Sequence, residues 1–370
     1  MKDTRNAVPA NLTPRDGEST IQADCKVPVE YHNPGFLTVS VSNTITLLQT
    51  RRKPTRLTSM SHRTQIDALE TNIARAVFGK QDVIRRCLIA LFASEHLLLE
   101  DVPGVGKTLI GQAIAKSISG TFHRMQFTPD LLPADIVGSN IYNSKTQEFH
   151  LSKGPIFANI LLADEINRTT PRTQSAMLEA MNEQQVSIDG TTYPLPRPFM
   201  VIATENPMEY EGTYPLPESQ LDRFLLRISV GYPDRENEMN VLRTHQASRP
   251  IDALTPVLSC EQVAEIQRGV SQIRVDDAIN RYILDIVDAT RRCDELLVGV
   301  STRGAIALSR AVQAQALLEN RHFATPDDVK SLAVPVFAHR VMSKSFAHSN
   351  QRQATEALID RIVETVDVPV

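Results

Sequence analysis

From Met60 onward apolar residues recur with a helical spacing. In "QIDALETNIARAVFG" the side chains of Ile66, Leu69, Ile73, Ala76 and Val77 fall on one face, the period of an amphipathic helix. A regular alternation follows. "HLLLE" (His96 to Glu100) is an apolar run of strand length, and "TLIGQAIAKSISG" sets Leu109, Ile110, Ala113, Ile114 and Ile118 on one helical face. "NILLADE" (Asn159 to Glu165), "FMVIAT" (Phe199 to Thr204) and "FLLRISV" (Phe224 to Val230) read as three further buried strands, with "TQSAMLEAMNE" as a helix between the first two. Strands alternating with helices predict a parallel sheet covered by helices on both faces. Beyond "GYPDRE" the pattern is entirely helical. The predicted architecture is α/β over residues 60–232, a helical domain over 233–345 and a helical end over 346–370.

Before Met60 no such order is visible. Residues 1–59 carry scattered Pro, Thr, Ser and Asn, and "TRRKPTR" from Thr50 interrupts any regular element. The alternating run "FLTVSVSNTITL" from Phe36 has strand character if it finds a partner. This stretch is expected to be disordered, or an upstream extension with Met60 as the functional start. Two alternating segments inside the α/β region predict hairpins: "NIYNSKTQEFHL", and "QVSIDGTTYPL" with Asp-Gly between its arms, a strong two-residue turn signal. The bland reading of both is surface decoration.

Composition narrows the class. A chain of 370 residues has room for two domains and a large core. Its 42% hydrophobic and 22% charged content is that of a soluble globular protein. The net charge of -4 argues against coating nucleic acid by bulk charge. Cys25, Cys87, Cys260 and Cys293 form no C-x-x-C pair, so neither a zinc site nor a disulfide framework is expected, and a reducing, cytoplasmic setting fits. No signal peptide is read at the start, and no apolar run is long enough to span a membrane.

The chemistry gathers at the strand ends. In "EDVPGVGKT", between a strand and a helix, Gly104 and Gly106 turn backbone N–H groups inward toward a polyphosphate. Lys107 would reach the β- and γ-phosphates and the Thr108 hydroxyl would hold Mg²⁺. Asp101 stands where the usual loop opens with glycine; it reads as a tolerated variant, because Asp accepts turn and left-handed geometry. "ILLADE" places Asp164 and Glu165 at the carboxyl end of a buried strand, where open α/β sheets bind ligands. Asp164 would hold the metal and Glu165 would polarise the attacking water. Alone, the pair also reads as a helix cap, the weaker of the two readings. Asn206 in "ATENP" would orient that water, or merely begin an Asn-Pro turn. Arg223 in "LDRF" and Arg303 in "GVSTRGAIALSRA" are ordinary salt-bridging or solvent-facing arginines when taken singly.

Their order carries more than any one of them. Phosphate loop, acidic strand end, strand-end Asn, Arg before the next strand and Arg in a helical region together resemble the AAA+ ATPases, and most closely the MoxR family. The marks are "LLLEDVPGVGKT", "DIVGSNIYN", "KGPIFANILLADEINRTTPRTQSAMLEAMNE", "QVSIDG", "FMVIATENP", "YPLPESQLDRFLL" and the Arg303 segment, spanning residues 64 to 345. Members of that family often carry Asp or Gly at the place of Asp101.

The resemblance implies roles position by position. Gly79 in "AVFGKQ" would pack against adenine. Pro103, Gly104, Val105, Gly106, Lys107, Thr108 and Leu109 would hold ATP, with Thr108 and Asp164 on Mg²⁺ and Glu165 catalytic. Asn206 resembles the first sensor, Arg223 the finger that acts on ATP of the neighbouring subunit, and Arg303 the second sensor in the lid. Arg168 in "DEINR" matches a family motif, with a subunit-interface contact as its expected use. The two hairpins resemble the insert in the helix after the second strand and the hairpin before the first sensor. A homo-oligomeric ring, of six subunits, is implied. So is chaperone-like remodelling of a client, with a von Willebrand A-domain partner and metal-cofactor insertion among the tasks of relatives. A magnesium-chelatase-type ATPase subunit and a DNA-associated AAA+ motor share the site chemistry. The "DEINR" and "LDRF" contexts lean away from the first, and the absent basic excess leans away from the second. Glu165 speaks against a nucleotide switch without turnover.

Overall fold

A computed structural model of the protein describes residues 59–206, 213–247, 249–344 and 351–369. The expected N-terminal extension, with its alternating run from Phe36, therefore lies outside the described residues except for Ser59.

Helices α1 (Ser59–Ala74) and α2 (Gln81–Phe92) precede strand β1 (Leu97–Glu100), which feeds α3 (Lys107–Ser117) and then β2 (Phe122–Gln126). A short α4 (Pro133–Val137) leads into the hairpin β3 (Gly138–Asn143) and β4 (Glu148–Lys153). Next come β5 (Ile160–Asp164), α5 (Pro171–Glu183), the second hairpin β6 (Gln185–Ile188) and β7 (Thr191–Pro194), and β8 (Met200–Glu205). After α6 (Glu218–Leu221) and β9 (Leu226–Ile228) the helices α7 (Arg235–Ala247), α8 (Cys260–Val270) and α9 (Asp277–Arg292) follow. The chain continues through β10 (Leu296–Val298), α10 (Thr302–Leu318), α11 (Pro326–Phe337), β11 (Met342–Ser343) and α12 (Gln351–Thr365).

The central sheet has five strands in the order β2-β5-β8-β1-β9, and every pairing within it is parallel. Four of these strands match the apolar runs read above. The fifth, β2, is a correction: "FHRMQ" sits at the sheet edge and buries only Met125 among its residues, so it carries no apolar run to announce it. A second correction concerns the helical half, where β10 and β11 pair antiparallel between helices. Both hairpins form as expected. Counting β2, the first does follow the second strand of the sheet.

Alternation along the strands divides the core between two faces. Leu97 and Leu99 of β1, Ile160 and Leu162 of β5, and Met200 and Ile202 of β8 join α1, α2, α3 and helices α8 to α12 in one apolar cluster. Leu98, Leu161, Ala163, Val201 and Ala203 face the other way, onto α5 and the hairpin residues Val186 and Ile188. Side chains on a strand point alternately to opposite faces, so one short strand serves both clusters. The helical half and one sheet face thus share a continuous interior. Among the described residues, no helix is long and apolar enough to cross a membrane.

Candidate nucleotide site

The carboxyl ends of β1, β8 and β5 lie side by side, and each ends in residues singled out by the sequence. After β1 the chain forms the glycine loop. Gly104 and Gly106 have φ of 89° and 93°, the left-handed region in which a Cβ is disfavoured. A Cβ added at either would meet nothing within 4 Å, so the side of the loop facing away from the chain is open. Gly106 caps α3, whose first residues are Lys107 and Thr108. Their N–H groups begin a helix, where an anion is favoured. Lys107 Nζ donates to the carbonyl of Asp101 at 2.6 Å and to that of Glu205 at 3.5 Å. Burial holds its pKa below the usual ammonium range, opposed by the charges of Asp101, Asp164, Glu165 and Glu100.

Asp164 and Glu165 close β5. Asp164 Oδ1 accepts from Thr204 Oγ1 at 2.6 Å, and Oδ2 accepts from Arg124 Nη2 at 2.6 Å. Glu165 has φ 55°, so its side chain leaves the strand line, and its N–H donates to Thr204 Oγ1 at 2.8 Å. Its Oε2 accepts from Gln126 Nε2 at 2.7 Å and from Arg168 Nη1 at 3.0 Å. Arg168, expected at a subunit interface, thus ion-pairs within its own protomer. Asn206 follows β8 directly and is buried. Gly79, with φ 68°, lies against Asn237 of α7, next to Lys80, whose Nζ donates to the Tyr232 carbonyl.

The two arginines are elsewhere. Arg223 precedes β9, and Leu225 N–H donates to the His96 carbonyl just before β1; this is the amino edge of the sheet, opposite the phosphate loop. Arg223 Nη1 donates to Leu178 O of α5 at 2.6 Å. Arg303 Nη2 donates to Asn182 of the same helix at 2.9 Å, and its Nε lies 3.9 Å from Asp222. Burial, then the nearby charge of Arg303, lowers the pKa of Arg223. Ser175, Glu179, Asn182 and Gln220 line a cavity of about 340 Å³ beside Arg223. The segment is clamped from the helical half. Arg340, past the end of α11, donates through Nε to Asp222 Oδ1 at 2.8 Å and through Nη2 to Phe224 O at 2.5 Å.

The structure therefore brings together Lys107, Thr108, Asp164, Glu165 and Asn206, and groups Arg223 with Arg303 at the far edge. It adds residues the sequence reading passed over: Gln126, Arg124 and Thr204, which hold the two carboxylates. Gln126 and Arg124 belong to the edge strand that has no apolar signature. Thr204 lay inside a run read only as strand.

Comparison with known proteins places the chain by family and fold. Residues 96–226 match the ATPase family associated with various cellular activities (AAA), and residues 288–362 match the AAA lid domain. The chain is 52% identical over 299 residues to the uncharacterised protein YeaC of Bacillus subtilis, covering 81% of this chain and 93% of that one. It is 39% identical over 306 residues to the chaperone MoxR1 of Mycobacterium tuberculosis, covering 80% of each. A candidate ATPase of Cytophaga hutchinsonii, known from its crystal structure, superposes with a TM-score of 0.77 at 39% identity, over 84% of this chain and 96% of that one.

Proposed function

The chain belongs to the MoxR family of AAA+ ATPases, and from that membership we propose that it hydrolyses ATP in sites completed between copies of itself in a ring, probing a cytoplasmic client as a chaperone-like remodeller. The observation that carries this reading is the separation of the two sets of residues. Lys107, Thr108, Asp164, Glu165 and Asn206 stand at the carboxyl edge of a parallel sheet, while Arg223 and Arg303 stand at the amino edge. One protomer offers a phosphate cradle on one side and guanidinium groups on the other, which is the layout of a head-to-tail assembly.

In this reading the backbone N–H groups of residues 104–109 and the Lys107 ammonium bind the phosphates. Thr108 and Asp164 would hold Mg²⁺, since one hydroxyl at the start of α3 and one carboxylate at the end of β5 are oxygen donors of the kind that ion takes beside substrate phosphates. When bound, Mg²⁺ would neutralise charge on the phosphates. Glu165 polarises the attacking water and Asn206 orients it. Gln126 and Arg168 fix the rotamer of Glu165, so both are positioning residues. Arg223 and Arg303 enter the neighbour's site, where an arginine stabilises the charge that develops on the transferred group. Since α5 contacts both arginines and runs into the β6–β7 hairpin, hydrolysis next door is felt at the hairpins. A six-membered ring, a von Willebrand A-domain partner and assistance to metal-cofactor insertion are the finer parts of the proposal, and they rest on kinship alone.

Phosphate release by purified protein tests it. Lys107→Ala should lose both ATP binding and turnover. Glu165→Gln should bind ATP and stall, with kcat down by about a hundredfold or more, the scale of a lost general base. Turnover that survives Lys107→Ala would sink the assignment. The stalled Glu165→Gln ring is also the reagent for capturing the client from its native host.

A further inference from the structure

Asp101 was expected to be an inert turn residue, but the turn does not use left-handed geometry at that position: φ is positive at Gly104 and Gly106 and not at Asp101. Asp101 is instead 7% exposed, and its carboxylate is fully engaged. Oδ1 accepts from Val102 N–H at 2.8 Å. Oδ2 accepts from Ser229 Oγ at 2.8 Å, Val230 N–H at 2.7 Å and Gly231 N–H at 2.6 Å. The last three donors belong to the stretch that leaves β9 and leads to α7. Gly231 has φ 64°, and a left-handed residue in such a stretch turns successive N–H groups toward one anion. Burial by itself would raise the Asp101 pKa. The donors from Gly231, Ser229, Val102 and Val230 outweigh it and hold the carboxyl below its ordinary value.

The backbone of the same residue works on the other side. Asp101 N–H donates to Glu205 O at 3.2 Å, extending the β1–β8 ladder, and Asp101 O accepts from Lys107 Nζ. One residue therefore ties the phosphate lysine, the neighbouring strand and the connector to the helical half. A glycine at this position would keep the backbone contacts and lose every contact made by the carboxylate.

We propose that Asp101 is a positioning residue whose carboxylate clasps the connector between β9 and α7, and that this clasp sets where the phosphate loop and Lys107 stand when nucleotide binds. The proposal rests on reading residues 101–109 as a nucleotide site. It differs from a purely structural role in what it moves. A structural tether affects the melting temperature and leaves affinity alone, whereas the clasp changes affinity and the KM for ATP.

Titration of the full-length chain with a fluorescent ATP analogue, beside thermal unfolding and steady-state hydrolysis, separates these. Asp101→Gly, which restores the usual opening of the loop, should weaken binding about tenfold, the scale of losing several hydrogen bonds to a charged group. Its KM should rise while kcat at saturating ATP stays near that of the wild type. Ser229→Ala removes one donor and should weaken binding about threefold. Unchanged affinity in Asp101→Gly overturns the proposal, whatever happens to its melting temperature. If Asp101→Gly fails to fold, unchanged affinity in Ser229→Ala overturns it. Lys107→Ala is the control: a wild type that binds no better than Lys107→Ala removes the nucleotide-site reading itself, and this inference with it.

Discussion

Glu205 and Glu100 are register partners on the adjacent parallel strands β8 and β1, so two carboxylates stand side by side behind the phosphate loop. Arg227 lies 3.4 Å from Glu100, and Arg352 of α12 lies 3.6 Å from it. Burial first, then the charge of Glu100, raises the Glu205 pKa from 4.5 to about 7, with Arg227 pulling it back. Between those two values the folded protein keeps a proton that the unfolded chain has released. The resulting stabilisation is complete below the unfolded pKa and is lost as pH rises through about 7. Glu205→Gln keeps the shape and removes the titration. Its melting temperature relative to wild type should climb between about pH 5 and about pH 8, and lead by about 1–2 °C at the upper end if about 1 kcal/mol is recovered in a folded unit of this size. A difference that is the same at both pH values would show that Glu205 ionises normally. The contrast with Asp101 shows what was legible at this scale. Lys107, Asp164, Glu165 and Asn206 stand out in the sequence because each follows an apolar strand. The use of Asp101 did not, because the partners of its Oδ2 lie 128 to 130 residues further along the chain.

At the scale of elements, long buried strands and turn-bounded hairpins were legible, while edges and very short strands were not. β5 and β8 bury nearly every residue, which leaves an apolar run in the text. β2 exposes most of its residues at the sheet edge, and β10 with β11 involves only three and two residues. The β6–β7 hairpin was readable from two letters. Asp189 and Gly190 have φ of 48° and 80°, the pair of positive values that a type I′ turn requires. That hairpin is also linked to the first one, since Asn140 Nδ2 donates to Asp189 Oδ2 at 2.9 Å. Gly190→Val forces a β-branched side chain into left-handed geometry, at a cost of about 1–2 kcal/mol. Hydrogen exchange of the amides in residues 185–194 should quicken, and those in residues 138–153 should follow through the Asn140–Asp189 bond. ATP binding should be untouched, as no site residue lies in either hairpin. Quickened exchange in the second hairpin alone would show that the two move independently.

At the scale of the whole molecule, the amino edge with Arg223 and Arg303 and the carboxyl edge with Lys107 and Glu165 cannot meet within one copy, because parallel strands put those edges on opposite sides of the sheet. Arg340 and α5 hold the arginines where they are, with Asp222 gripped at 2.8 Å and Leu178 O at 2.6 Å from the guanidinium of Arg223. A side chain so anchored does not travel around the sheet to its own nucleotide. The proposed completion by a second copy is measured by a mixture of two variants, each expected to be inactive alone. Lys107→Ala retains its arginines and lacks a working cradle. Arg223→Ala retains its cradle and lacks one arginine. In randomly mixed rings at equal amounts, about a quarter of junctions pair an intact cradle with an intact Arg223, as expected for head-to-tail contacts in a closed ring. Phosphate release should recover toward about a quarter of the wild-type rate, provided junctions fire independently. Recovery should vanish when the mixture is diluted until the rings dissociate, monitored by light scattering. If fully exchanged rings show no recovery, or if dilute single copies of Arg223→Ala turn over ATP as fast as the wild type, the arginine acts on no neighbour and the site is complete in one chain.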